Sequence, residues 1–301
     1  MRPYALIDLH CDTLTDCMYA GSNIIDTLDD PARTLSLTSI PKDIHWAQFF
    51  AVFVPDELRG EKAIRFFDDA CANFDRQMRK FADLVSPCRN VADMERAWAA
   101  GKTAAFLSVE NGSAFAGDLS RIGKTKRQGV CAVTLTWNGE NELGSGNVTD
   151  RGLTDFGRAA VREMERCGAH ALVLSGGFVS RAPMYVMRGS MPIRTLTHYM
   201  TQWWLKLGVG MFGRMMIPSV PFREAYFLDD ARHFREAVKL PLVYVGGLVS
   251  RTKIDEVLDA GFDCVAMARA LINEPDFVNR MKNEGEERCA CTHANYCIAR
   301  M

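Results

Sequence analysis

The sequence predicts an α/β chain of (βα) TIM-barrel type. Short apolar runs alternate with longer helical patterns from end to end. The runs are apolar at successive positions, as strands of a parallel sheet covered on both faces are. Candidate chemistry falls at the C-terminal ends of these runs, where barrel enzymes carry their sites. The 301 residues suffice for one barrel or two modest domains, and a hydrophobic content of 48% supplies a sizeable core.

In the first half, strands are expected at Tyr4–Leu9, Ala47–Val54, Thr103–Val109 and Val130–Thr136. In the second half they are expected at Ala171–Leu174, Leu242–Val245 and Cys264–Ala268. Helical patterns occupy Glu61–Leu84, Asn90–Ala100, Asp155–Cys167, Leu228–Val238 and Lys253–Ala260. A regular barrel has eight strands. Seven runs are clear, so either the apolar stretch Gly208–Ile217 supplies the other or the barrel is irregular and one strand short. The Met- and Trp-rich segment Tyr185–Pro221 around it reads as a helical excursion between strands. The seam Cys167-Gly168-Ala169-His170 sets a helix end against a strand start. It divides the chain into half-barrels 1–168 and 169–301, which are expected to pack as one barrel domain.

The net charge of -1 gives no basic face for nucleic acid and no attraction to an anionic membrane. No signal-like or bilayer-length apolar run is visible, which places the chain in the cytoplasm. There the ten cysteines are expected to be thiols, with Cys131 and Cys264 as core residues within strands.

The first strand ends Asp8-Leu9-His10-Cys11-Asp12. Residues two apart in a strand share a side, so His10 and Asp12 aim together, an imidazole and a carboxylate suited to zinc or another divalent ion. Glu110 ends the third run, Phe106-Leu107-Ser108-Val109-Glu110-Asn111-Gly112, and can reach the same ion. A lone His-x-Asp is more often a hydrogen-bonded pair; three such groups at strand ends shift the reading toward metal.

Several segments resemble membrane-dipeptidase-type (renal dipeptidase-like) zinc hydrolases. They are Ile7–Thr13, Ala47–Val54, Leu107–Gly112, Thr134–Leu143 and Gly152–Cys167, of which Thr134-Leu135-Thr136-Trp137-Asn138-Gly139-Glu140-Asn141-Glu142-Leu143 and Gly152-Leu153-Thr154-Asp155-Phe156-Gly157-Arg158 are the most specific. The resemblance covers about residues 4–168. It implies a two-metal barrel that cleaves dipeptides, with His10 and Asp12 on the first metal and Glu110 bridging to the second. It also implies two histidines at later strand ends and an aspartate at the last strand. The first strand of the second half instead ends Leu174-Ser175-Gly176-Gly177, His170 precedes that strand, and His198 and His233 fall in helical patterns.

In the second half, Pro241-Leu242-Val243-Tyr244-Val245-Gly246-Gly247 is an apolar run ending in two glycines. It reads as a simple turn or, with Arg269 after the next run, as a phosphate cradle. The runs Leu172–Gly177, Val245–Gly247 and Met267–Asp276 resemble the C-terminal part of NADH:flavin oxidoreductases of the old yellow enzyme family. That resemblance implies an FMN phosphate held by Gly246, Gly247, Ala268 and Arg269. Relatives of that family carry an iron–sulfur cluster near the tail; here Cys289, Cys291 and Cys297 leave a four-cysteine cluster short of a ligand and read as loose thiols.

The sequence therefore reads as a hybrid of two barrel families. Three functions are open: a metal-dependent dipeptidase-type hydrolase of impaired activity, an FMN-dependent NADH:flavin oxidoreductase, and a folded chimera that binds ligand without turnover. The partner in each case is a small-molecule substrate or a phosphate-bearing ligand.

Overall fold

In the computed structural model the chain divides into two units, Met1–Gly168 and Ala169–Met301. The residues described are 4–15, 28–31, 35–40, 44–146, 149, 151–175, 188–216, 219–283, 285 and 287–299. Both units are α/β, and every strand pairing within their sheets is parallel.

The first unit is built on β1 (Tyr4–Cys11), β2 (Ile44–Phe53), β3 (Val85–Pro87), β4 (Thr103–Glu110) and β5 (Val130–Thr134), in the order β1-β2-β4-β3 with β5 also on β4. The far edge of β4 is shared: Val85 of β3 pairs with Thr103 at its start, and Thr134 of β5 pairs with Glu110 at its end. Helix α1 (Glu61–Lys80) buries Ala63, Phe67, Ala70, Phe74 and Met78, a spacing of three and four residues that makes one apolar stripe. That stripe packs with Phe50, Val52 and Val54 and with Ala105, Leu107 and Val109, alternate positions and so one face of the sheet. On the opposite parity, Ala47, Ala104 and Phe106 pack with Met94 and Ala97 of α2 (Val91–Ala99). With helices on both faces, β4 is buried from Thr103 through Val109, which is why its sequence does not alternate. Helices α3 (Ser120–Arg127) and α4 (Asp155–Arg166) complete the unit. Thr154 caps α4 by accepting the Gly157 N–H at 2.9 Å, and after α4 the chain turns at Gly168, whose φ of 90° favours glycine.

The second unit holds β6 (Leu172–Ser175), β7 (Leu242–Val245) and β8 (Cys264–Ala266) in that order. Its helices are α5 (Ile193–Tyr199), α6 (Trp203–Met216), α7 (Leu228–Ala237), α8 (Arg251–Asp259), α9 (Arg269–Asn273), α10 (Phe277–Asn283) and α11 (Tyr296–Ala299). Leu174, Phe227, Leu228, Leu242, Tyr244, Val257 and Phe262 form its core. The buried Tyr244 hydroxyl donates to the Gly246 carbonyl at 3.1 Å and accepts the Phe227 N–H at 3.2 Å, fixing the turn after β7.

Four expectations need correction. The stretch from Gly208 to Met216 belongs to helix α6; it continues the helical register of Trp203–Leu207. The eighth strand among the described residues is β3, in the first unit. Cys131 and Cys264 are exposed rather than core: each lies on an outermost strand of its sheet, β5 or β8, and joins none of the buried clusters. The last strand also stops at Ala266, and Ala268 is the N-cap of α9. Gly176 and Gly177 lie outside the described residues, as does Ile217. Among the described residues no helix is long and apolar enough to cross a membrane.

Candidate metal centre

The C-terminal ends of β1 and β4 bring three donors together. The register of β1 against β2 shifts between Asp8 and Cys11, an irregularity that re-aims the strand where His10 stands. The His10 N–H is held by the Asp8 carboxylate at 3.1 Å. His10 Nε2 then lies 3.4 Å from Asp12 Oδ1 and 3.4 Å from Glu110 Oε2. One donor atom from each of the three residues falls within 4.8 Å of the others, and this is the only such set of His, Cys, Asp and Glu among the described residues. Donors bonded to one tetrahedral zinc at about 2.1 Å stand about 3.4 Å apart. The two histidine distances match that spacing.

The electrostatics agree. Burial pushes the Glu110 carboxyl above its ordinary range, His10 draws it back down, and the Asp12 charge adds to the rise. Two carboxylates held against one imidazole make a place where a cation is welcome. Cys11, between His10 and Asp12, is no competing donor: burial pushes its thiol up to about 12. The chain just beyond Asp12 is pinned by Thr15, whose hydroxyl donates to the Ala51 carbonyl at 2.9 Å and accepts the Phe53 N–H at 3.1 Å.

Sequence reasoning missed the residue that fixes Glu110. Asn111 is fully buried and sits at φ 76°, left-handed backbone for a non-glycine residue. Its amide donates to the Val54 carbonyl at 2.8 Å and to Asp56 Oδ1 at 3.0 Å, tying β4 to the end of β2. Its oxygen accepts from Asn141 at 2.8 Å and from the Ser113 N–H at 3.2 Å. Asp56 also accepts the Gly139 N–H at 2.7 Å, so the loop after β5 is drawn into the same network. Asn-Gly at 111–112 was the available signal, since that dipeptide tolerates positive φ. Phe53 is paired with Glu110 in the sheet and so faces the same side, and Trp137 meets its ring edge-on at 4.7 Å. An aromatic wall thus stands beside the carboxylate.

In the second unit, the residues read as a phosphate cradle have partners of their own. Arg269 donates to Asn295 Oδ1 at 2.8 Å and to the Arg188 carbonyl at 3.3 Å. Gly247 has φ 68°, and a Cβ there would meet the Tyr226 ring at 2.9 Å, a steric reason for glycine. Beyond Gly246–Gly247, the N–H groups of Val249 and Ser250 are given to Glu224 Oε1 at 2.8 and 2.6 Å. The turn therefore holds an anion already, a carboxylate of its own chain. Ala268 contributes no side-chain hydrogen bond at the start of α9. Cys289 is buried, while Cys291 and Cys297 are partly exposed.

Comparison with known proteins gives the following. The family described as membrane dipeptidase (peptidase family M19) matches residues 1–172. A 4,4'-dithiodibutanoate disulfide reductase of Rhodococcus erythropolis is 33% identical over 169 residues, 56% of this chain and 40% of the reductase. The chain therefore spans well under two thirds of that relative. A metallopeptidase from Rhodobacter sphaeroides, liganded with a phosphinate mimic of the dipeptide L-Ala-D-Ala, aligns over 99% of both chains with 16% identity and a TM-score of 0.56, a likeness of fold. The dipeptidase AC aligns over 55% of each chain at 22% identity, with a TM-score of 0.48.

Proposed function

The chain belongs to the membrane dipeptidase family, peptidase family M19, and from that premise we propose that its first unit is a metal-dependent hydrolase site acting on dipeptide-like amides. One observation carries the proposal: His10, Asp12 and Glu110 bring donor atoms within 4.8 Å of one another, with His10 Nε2 3.4 Å from a carboxylate oxygen of each partner, a set suited to a single zinc or other divalent ion. The chemistry such an ion supplies when bound is polarisation of an amide carbonyl and acidification of a water. Glu110, half-sheltered beside His10 and Asp12, would stand as a carboxylate among that ion's ligands. Phe53 and Trp137 keep water from one side and offer a surface to an apolar substrate side chain. Three ligands suit one ion better than two, so the rate is expected to be modest.

The test is zinc content and dipeptide hydrolysis, measured on the same preparation before and after chelation. Zinc-dependent hydrolysis lost in His10→Ala supports the proposal. Stoichiometric zinc without turnover leaves a ligand-binding chain, and the absence of zinc removes the centre altogether.

A second reading rests on the Gly-Gly turn after β7 and on Arg269 at the start of α9. It places an FMN phosphate at Gly246, Gly247, Ala268 and Arg269, the chain then being a hybrid. The fit is poorer, because Arg269 and the amides after the glycines are engaged within the protein. Titration with FMN, with and without inorganic phosphate, distinguishes it: binding insensitive to phosphate and to Arg269→Ala removes the cradle.

A further inference from the structure

Helix α6 turns its large apolar residues outward. Trp203 is 75% exposed, Trp204 59%, Leu207 55%, Met211 63%, Phe212 50% and Met215 77%. The helix is covered at Gly213, which lies against Ile193 of α5, where a Cβ would meet the Ile193 side chain at 3.0 Å. Among the described residues of its unit, packing of α6 on α5 therefore leaves the broad apolar arc exposed. Contiguous exposed apolar surface of this kind marks a binding face.

Charge says what covers it. From residue 167 to residue 223 the sequence contains no Asp or Glu, although the whole chain has 37. Over the same span stand Arg181, Arg188, Arg194, Lys206, Arg214 and Arg223. Arg194, Lys206 and Arg214 are exposed on α5 and α6 themselves. The balanced net charge of the chain conceals this local excess. A symmetric contact with a second copy would set these cations against their own counterparts, with no acidic residue on either helix to neutralise them. An anionic lipid surface takes both features at once: apolar rings at the headgroup boundary and cations among the phosphates. The 14 residues of α6 extend about 21 Å, too short to span a bilayer, so the helix would lie in the interface plane.

We propose that α5 and α6 form an interfacial anchor that lays the exposed face of α6 on an anionic bilayer surface. The experiment is flotation of the full chain with phosphatidylcholine vesicles, with and without about one third phosphatidylglycerol, at low and high salt. Binding on the order of tenfold or more tighter to the anionic vesicles, weakened by salt, is the expected result. L207E/M211E, at exposed positions, should abolish it, and K206E/R214E should abolish the preference for anionic lipid; circular dichroism checks that both variants fold. Equal binding to both vesicles, or none to either, overturns the proposal. So does concentration-dependent self-association that vesicles fail to compete with and that L207E/M211E removes, since a second copy then covers the face.

Discussion

Each unit contains a buried asparagine at left-handed φ, and the two lead to opposite outcomes. Asn111 in the first unit (φ 76°) and Asn295 in the second (φ 56°) both lace loops together through side-chain amides. Asn111 satisfies itself entirely on backbone carbonyls, an N–H and uncharged or acidic neighbours, which leaves the adjacent Glu110 carboxylate turned to His10 and Asp12. Asn295 takes up Arg269, while Glu224 takes up the amides beyond Gly246–Gly247. A ready ligand site is recognised by donors that face one another without being consumed. By that criterion the first unit is poised for a cation, and the second has largely answered its own polar groups.

The sharpest way to break this contrast is to remove a donor. Glu110→Gln should weaken zinc binding by at least about a hundredfold, since loss of even an outer-shell partner costs up to that much. Calorimetric titration checks it; an unchanged affinity would put Glu110 outside the centre. Arg269→Ala, its counterpart in the second unit, should leave zinc affinity untouched.

The second contrast is with acid. His293 is almost fully buried, stacked on Phe222 at 3.5 Å, and burial together with Arg269 holds its imidazole down to about 4 from an ordinary 6.5. Above about pH 6.5 neither the folded nor the unfolded state carries that proton. As pH falls from there toward 4 the unfolded chain takes it first, so stability drains from the second unit, by up to roughly 3 kcal/mol. Urea unfolding across that range should show the loss, and His293→Gln should flatten it. A slope that survives the substitution would assign the acid sensitivity elsewhere.

Much of this was legible in the sequence, for reasons that particular residues make plain. The strand Leu242–Val245 is apolar, short and closed by two glycines, and its limits are as expected. His10, Asp12 and Glu110 were visible because strand ends project side chains in a way that order along the chain reveals. The short strand Val85–Pro87 was not, because three residues including a proline carry no periodicity and follow directly on a long helix. The helical excursion expected within Tyr185–Pro221 is present as α5 and α6, and Gly208–Met216, offered as one source of the missing strand, is part of α6, with Met211, Phe212 and Met215 facing outward. Asp56, Asn111 and Asn141 were missed because their role lies in backbone handedness and in hydrogen bonds between distant loops.

Asn111→Ala tests that role: it loses the network and places a Cβ residue without local compensation at positive φ. A cost of about 2–3 kcal/mol is expected, with zinc affinity falling alongside. Thermal melts and zinc titration on one preparation would show the two losses together; a stability loss with full zinc affinity would make Asn111 purely structural. The smallest effects come from the helix caps. Thr154→Ala and Ser250→Ala should each cost about 1 kcal/mol, because each hydroxyl accepts an N–H at the start of a helix in a different unit. Hydrogen exchange should place the first loss in the first unit and the second loss in the second; protection lost equally throughout would mean that the two units open as one.

The most direct measurement is a chelator-competition titration of zinc into the metal-stripped chain, beside His10→Ala and Asp12→Asn. About one equivalent should bind to the unmodified chain, with affinity lowered by about a hundredfold or more in either variant. Binding of the same stoichiometry and affinity in all three proteins would show that His10, Asp12 and Glu110 meet at the strand ends for another reason.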